Sequence, residues 1–266
     1  MTSQREKAQL FLELHHGPAP LLMPNPWDAG SAKLLASLGF AALATTSSGH
    51  AATLGRSDGT VTRDEALAHA ADLAAAVSVP VSADLEKCYA DDPAGVAETV
   101  RLAAGTGLAG CSIEDYSGDQ IYDKGLATER VAAAAEAAAG DLVLTARAEN
   151  YLHGRPDLAD TIERLQAYQQ AGADVLYAPA LTSIDDIRQV VSSLDNPVNV
   201  LAFPGVPAVP ELAAAGVHRV SVGGAFAFTA LAAVVEAARE LREKGTYGYL
   251  SGSREARSAI ATALSA

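Results

Sequence analysis

Residues 79–86 read VPVSADLE, a short β-rich run that ends on two acids, Asp84 and Glu86. Seven further runs, at 21–24, 41–46, 110–114, 142–147, 175–177, 198–202 and 219–222, alternate with Ala/Leu-rich stretches of helical period. Residues 63–77 place Ala66, Leu67, Ala70, Leu73, Ala74 and Val77 on one helical face, and residues 158–171 repeat the pattern with Ile162, Leu165, Ala167 and Tyr168. Strand and helix repeated eight times predict a parallel sheet closed into a (β/α)8 TIM barrel, with a doubly wound open sheet as the second choice. No GxGxxG follows the first strand, where MPNPWDAG stands at 23–30, and the chain has no GxxxxGK[ST], GxSxG or HExxH. The Ala-rich run ERVAAAAEAAAG at 129–140 reads as a plain outer helix without a role of its own.

The chain has 266 residues, 49% hydrophobic and 19% charged, which excludes disorder and small disulfide scaffolds. No linker or charge block divides it, so one barrel domain over residues 1–266 is expected, with about 245–266 as a C-terminal helical extension. Against 19 basic residues stand 32 acidic ones, and the formal charge of −13 repels phosphate backbones and anionic headgroups, so neither nucleic acid nor membrane is an expected partner. The most apolar stretch, 223–235, is shorter than the ~20 residues that span a bilayer. The charged N-terminal stretch does not read as a secretory signal, and two cysteines, Cys88 and Cys111, make no disulfide framework. A reducing, cytoplasmic setting is the expectation.

In such a barrel the chemistry gathers at the C-terminal ends of the strands. There the sequence places Asp28, then Ser48, Gly49 and His50, then Asp84 and Glu86, then Glu114 and Asp115, and then Arg147 and Glu149. Carboxylates crowded together raise one another's pKa, and a divalent cation relieves this. Oxygen ligands without His or Cys at ligand spacing favour Mg²⁺, or Mn²⁺, over zinc. The alternative reading is that these acids cap helices or pair with arginines. His50 is a candidate substrate contact or acid/base, Trp27 a residue packed over the mouth, and His15 and His16 helix-surface residues.

The motifs TTSSGH at 45–50, LGRSDG at 54–59, VPVSADLE at 79–86, GCSIED at 110–115, LTARAEN at 144–150 and GADVLYAP at 172–179 resemble, in order and spacing, those of the isocitrate lyase/phosphoenolpyruvate mutase superfamily. The resemblance implies a (β/α)8 barrel with its terminal helix exchanged between subunits of a homodimer or homotetramer, an Mg²⁺ site, and chemistry through the enolate of a 2-oxo acid. Asp84 then matches the direct metal ligand, and Asp58, Glu86 and Glu114 the carboxylates that hold the metal's waters. Ser48 and Gly49 match the seat of the substrate carboxylate, and Arg147 the cation on its carboxylate and oxo oxygens. The loop motif PK(K/R)CGH of the carbon-carbon lyases is absent: residues 114–130 read EDYSGDQIYDKGLATER, and Pro179 stands where lyases tend to have Glu. Lys124 in this segment reads either as a group able to enter the site or as a solvated loop residue.

The expected function is an Mg²⁺-dependent lyase on a small 2-oxo or 2-hydroxy di- or tricarboxylate, decarboxylase-like or methylisocitrate lyase-like. A phosphoenolpyruvate/phosphonopyruvate mutase or hydrolase is the alternative, and a non-catalytic 2-oxo acid binding protein is an answer of another class.

Overall fold

The computed structural model describes residues 3–265. Eight strands, β1 (Leu21–Met23), β2 (Leu43–Ala44), β3 (Val81–Asp84), β4 (Gly110–Glu114), β5 (Val143–Arg147), β6 (Val175–Tyr177), β7 (Val198–Leu201) and β8 (Arg219–Ser221), form one sheet with all ladder pairs parallel. The ladder runs β1-β8-β7-β6-β5-β4-β3-β2, and the Ala44 amide donates to the Pro24 carbonyl (3.1 Å) across the remaining gap. The result is a nearly closed (β/α)8 barrel.

Helix α1 (Gln4–Glu13) precedes the barrel, and α2 (Ala29–Ser37) follows β1. The short α3 (Ser47–Thr53) and then α4 (Arg63–Ala76) follow β2. The other strands lead in turn into α5 (Pro93–Ala104), α6 (Lys124–Ala138), α7 (Leu158–Gln170), α8 (Ile184–Ser192), α9 (Val209–Ala214) and α10 (Ala225–Lys244), after which α11 (Ser253–Ser265) ends the described chain. Local chemistry starts these helices where they start. Thr62 and Glu65 form a capping box on α4, Asp92 caps α5 with Pro93 in its first turn, and Asp157 and Ser183 cap α7 and α8. The second strand is shorter than its 41–46 reading, because Thr46 becomes the N-cap of α3 and accepts from the Gly49 amide (3.2 Å).

The apolar core lies between sheet and helices, with Leu73, Val100, Leu108, Leu144 and Leu165 nearly inaccessible. Inside the barrel an apolar layer of Leu21, Met23, Val143 and Val175 packs with Phe11, and Thr145, Asn199 and Ser221 are buried in a polar layer with Arg219. Helix α1 closes the opposite end, its Phe11 against Gly110, where a Cβ would come within 2.9 Å of the ring. His15 corrects the surface reading. It is 1% exposed, with Nδ1 on the Phe11 carbonyl (2.8 Å) and Nε2 facing Arg219 Nη1 (3.1 Å). His16 is exposed as expected.

Helix α11, within the segment expected as a C-terminal extension, lies against α2 with Ala263 buried. It is α10 that stands bare: Ala227 is its buried residue, while Phe228, Leu231 and Val234 are all exposed. On β1, Leu22 points outward and is 42% exposed, so the outer face of that strand is uncovered as well.

Burial holds His15 at about 3, with Arg219 repelling the second charge. The unfolded chain protonates near 6.5 and the folded one does not, so His15 contributes stability that is present above 6.5 and lost as the pH falls toward 3, at up to about 1.4 kcal/mol per pH unit. His15→Gln keeps a donor for Phe11 and an acceptor for Arg219. Urea unfolding at pH 7 and 4.5 should show a smaller acid loss for this variant than for the wild type, and equal losses would contradict the assignment.

Candidate active site at the C-terminal rim of the barrel

Because neighbouring strands run parallel, residues at matching register stand side by side: Glu114 pairs with Arg147, and Asp84 with Ser112. A cavity of about 630 Å³ opens above them, lined among others by Ser48, Asp58, Asp84, Glu86, Glu114 and Arg147. Of the expected rim residues, Asp28, Gly49, His50 and Asp115 do not line it.

Arg147 organises the site. Its Nη1 is 2.8 Å from Glu114 Oε1 and 3.2 Å from Asp84 Oδ1, and its Nε donates to Glu149 Oε1 at 2.6 Å. The guanidinium lies 4.9 Å from the centre of the Tyr177 ring. Among the described residues no hydrogen bond uses Nη2, and Arg147 lines the cavity. Burial works against the charge, but Glu114, Glu149 and Asp84 outweigh it and keep Arg147 protonated.

Five carboxylates reach the cavity, Asp58, Asp84, Glu86, Glu114 and Glu149, and one guanidinium cannot neutralise them all. Burial pushes Glu114 and Glu149 upward against the pull of Arg147. Glu86 is held at about 7 by burial, with Asp84 and Asp58 adding to it, and Asp58 is raised by burial while the Ser47 hydroxyl opposes. That excess of negative charge fits a divalent cation. Among the described residues, however, no three acid, His or Cys side chains converge tightly enough to enclose a metal. Such a loose oxygen set suits a hydrated Mg²⁺, which takes one or two protein carboxylates and keeps several waters.

The other expected residues fall elsewhere, for identifiable reasons. The Gly49 amide is spent on Thr46, and a Cβ there would meet Thr46 Cγ2 at 2.6 Å. His50 stacks on His69 (3.7 Å, 13°) in a narrow crevice beside the cavity, with Nδ1 buried and unpartnered. Asp28 caps α2, and Trp27, whose carbonyl accepts from His69 Nε2 (3.0 Å), does not line the cavity. Asp115 is 2% exposed and accepts from Arg164 Nη1 (3.1 Å), the Tyr168 hydroxyl (2.6 Å) and the Glu149 amide (2.8 Å), so it braces the rim from behind. Lys124 pairs with Glu163 in solvent (2.6 Å). Burial pushes the Cys111 thiol up to about 12 and raises the Cys88 thiol as well, so neither is a ready thiolate.

Two contributors were not legible from spacing. Arg130, inside the Ala-rich helix read as featureless, is 1% exposed and donates to the carbonyls of Lys87 (2.6 Å), Ala90 (2.9 Å) and Glu114 (3.1 Å). It pins the turn after β3, where Glu86, Cys88 and Tyr89 all have positive φ. His153 lines the cavity and stacks on Tyr116 (3.5 Å, 14°). A basic residue within a helix of small residues, and an imidazole four residues beyond Glu149, were the available signals.

Arg147→Met leaves Glu114, Glu149 and Asp84 without their shared cation. Breaking a buried pair from one side costs about 3–5 kcal/mol. Urea unfolding at pH 7.5 should show a loss of that order, and the loss should shrink at pH 5, where the orphaned carboxyls protonate. A change within about 0.5 kcal/mol at both pH values, the range of a surface substitution, would contradict the network.

A family model described as phosphoenolpyruvate phosphomutase matches residues 11–242. The chain is similar to a Burkholderia cenocepacia J2315 protein assigned only as a lyase or mutase, with a TM-score of 0.91 and 51% identity over 94% of this chain and 92% of that one. It is 30% identical to the 2-methylisocitrate lyase of Halalkalibacterium halodurans over 217 residues, 77% of this chain and 71% of the relative. A structure of oxaloacetate acetylhydrolase with its product oxalate superposes with a TM-score of 0.82 at 26% identity, over 91% of this chain and 89% of that one. With the barrel, the ordered motifs and these matches together, the chain belongs to the isocitrate lyase/phosphoenolpyruvate mutase superfamily.

Proposed function

We propose that the protein is a divalent-metal-dependent lyase that breaks a bond next to the enolate of a small 2-oxo or 2-hydroxy di- or tricarboxylate. One observation carries the reading: a single guanidinium, paired to three carboxylates and with Nη2 in no hydrogen bond among the described residues, lines a cavity with more carboxylate than it neutralises. An anionic substrate enters such a rim only if further positive charge comes with it. Mg²⁺, or Mn²⁺, fits that need: Asp84 would be its direct ligand, and Asp58, Glu86 and Glu114 would hold its waters. When bound, it supplies positive charge at the oxygen on which the enolate develops.

The chain's own residues do the rest. Arg147 holds the substrate's carboxylate or oxo oxygen through Nη2. Ser48, lining the cavity beside Gly224, offers a hydroxyl to the other carboxylate oxygen. Gly49 serves by its lack of a side chain, which lets α3 sit against Trp27 and Ala227. The relatives named 2-methylisocitrate lyase and oxaloacetate acetylhydrolase support carboxylate substrates. The second reading is a mutase or hydrolase of phosphonopyruvate, favoured by the description of the matching family model and distinguished by turnover of a P–C bond.

Oxalate, a mimic of the pyruvate enolate, tests the site. In calorimetry it should bind with Mg²⁺ and lose at least about tenfold in affinity (1.4 kcal/mol) in EDTA. Asp84→Ala should remove Mg²⁺ binding and leave the fold intact. Equal oxalate affinity with and without metal would contradict the reading.

We also propose that the working protein is a homodimer or homotetramer in which α10 covers a partner's barrel. The bare face of α10 and the exposed Leu22 of β1 are two apolar surfaces of one chain that do not meet each other, and a two-fold exchange buries both. Val234→Glu, at a position 62% exposed in the single chain, should lower the mass found by sedimentation. A monomeric wild type, or an unchanged oligomer in the variant, would overturn the proposal.

A further inference from the structure

An enolate-forming site needs a group that moves a proton to or from carbon, and the residues placed so far do not supply one. The five cavity carboxylates are committed to Arg147 or to the cation, Lys87 Nζ is tied to Asp91 (2.7 Å), and the Tyr177 phenol is held at about 12, chiefly by burial. Among the described residues that line the cavity, one imidazole remains, His153.

His153 sits in the loop between β5 and α7, its amide donating to the Glu149 carbonyl (3.1 Å). Tyr116, which fixes its ring by stacking at 3.5 Å, opens the loop between β4 and α6. That loop is a tight hairpin, closed by the Tyr116–Ile121 bridge and by the Ser117 amide on the Gln120 carbonyl (2.9 Å). Nε2 stands 3.8 Å from Glu149 Oε2, beyond hydrogen-bond range, and no hydrogen bond of the imidazole occurs among the described residues. Its side chain is 30% exposed, so the ring is held in orientation while its nitrogens are uncommitted.

We infer that His153 is the acid/base residue of this site, the group that carries the proton of the substrate carbon next to the oxo group. The inference rests on the enolate reading above. Tyr116, Glu149, Arg147 and Asp115 face or surround the ring. Burial and Arg147 lower its pKa while Asp115 opposes, which leaves the imidazole neutral and able to accept a proton near pH 7. In the enolising direction, the C3–H bond of a 2-oxo acid breaks and its electron pair becomes the C2=C3 bond. The C2 oxygen takes the negative charge beside Arg147, and the proton forms an N–H bond on His153. In the cleaving direction the imidazole, having taken a proton from water or from the substrate hydroxyl, gives it to C3 once the bond to the leaving group has broken.

Pyruvate tests this without knowledge of the physiological substrate. With Mg²⁺ in D₂O, the wild type should exchange the methyl protons of pyruvate for deuterium, seen by proton NMR. His153→Gln should slow that exchange by about 10²–10⁴. Its affinity for oxalate should stay within about threefold of the wild type, since Arg147 and the acids are untouched. His153→Ala should regain exchange in proportion to added imidazole, which a merely structural role would not do. Wild-type exchange that persists in His153→Gln overturns the role of His153 alone. A wild type that neither exchanges pyruvate protons nor binds oxalate overturns the enolate reading and this inference with it, and oxalate binding without exchange overturns the inference only.

Discussion

A single guanidinium shared by three carboxylates is the interaction on which the rest of the site depends. Arg147 at the end of β5 reaches Glu114 at the end of β4, Asp84 at the end of β3 and Glu149 in its own loop. Charges this buried lose several kcal/mol of hydration each and persist only when paired in good geometry. Parallel strands at matching register give that geometry at little cost in chain entropy, because the ladder that builds the barrel already holds Glu114 beside Arg147. The same pairing leaves more carboxylate around the cavity than the guanidinium neutralises, an excess of negative charge that suits a divalent ion.

Around this centre, side chains with no access to substrate hold the strand ends in place. Arg164 and Tyr168 grip Asp115, which in turn holds the Glu149 amide, so α7 sets the height of the carboxylate that faces Arg147. Arg130 of α6 does the same for the turn after β3, where three non-glycine residues take left-handed conformations at about 1–3 kcal/mol apiece. Glu86 is one of these, so the strain falls on a residue of the site itself.

Eight alternating units were legible in the sequence because buried strands and amphipathic helices leave periods that need no tertiary information. So was the gathering of acids at the strand ends. Spacing could not tell which face each residue takes. Glu114 and Asp115 are neighbours, yet alternation along an extended chain aims one at the cavity and the other at Arg164. His50 follows Ser48 by two residues, but a helix begins at Ser47 and carries its ring out of the cavity and onto His69. His15 lies four residues after Phe11 and shares its buried face, which is visible only once α1 is known to close the barrel. The resemblance carried Asp58, Asp84, Glu86, Glu114, Ser48 and Arg147 to the cavity, whereas His153 lay outside its motifs.

Arg147 and the acids around it are proposed as the seat for the enolate of a 2-oxo acid. A crystal structure of the protein grown with Mg²⁺ and oxalate tests it most directly. The account predicts oxalate in the rim cavity, with one oxygen within hydrogen-bond distance of Arg147 Nη2 and a cation between it and Asp84. Oxalate bound away from Arg147, or a cavity that holds neither ligand at saturating concentrations, would contradict it.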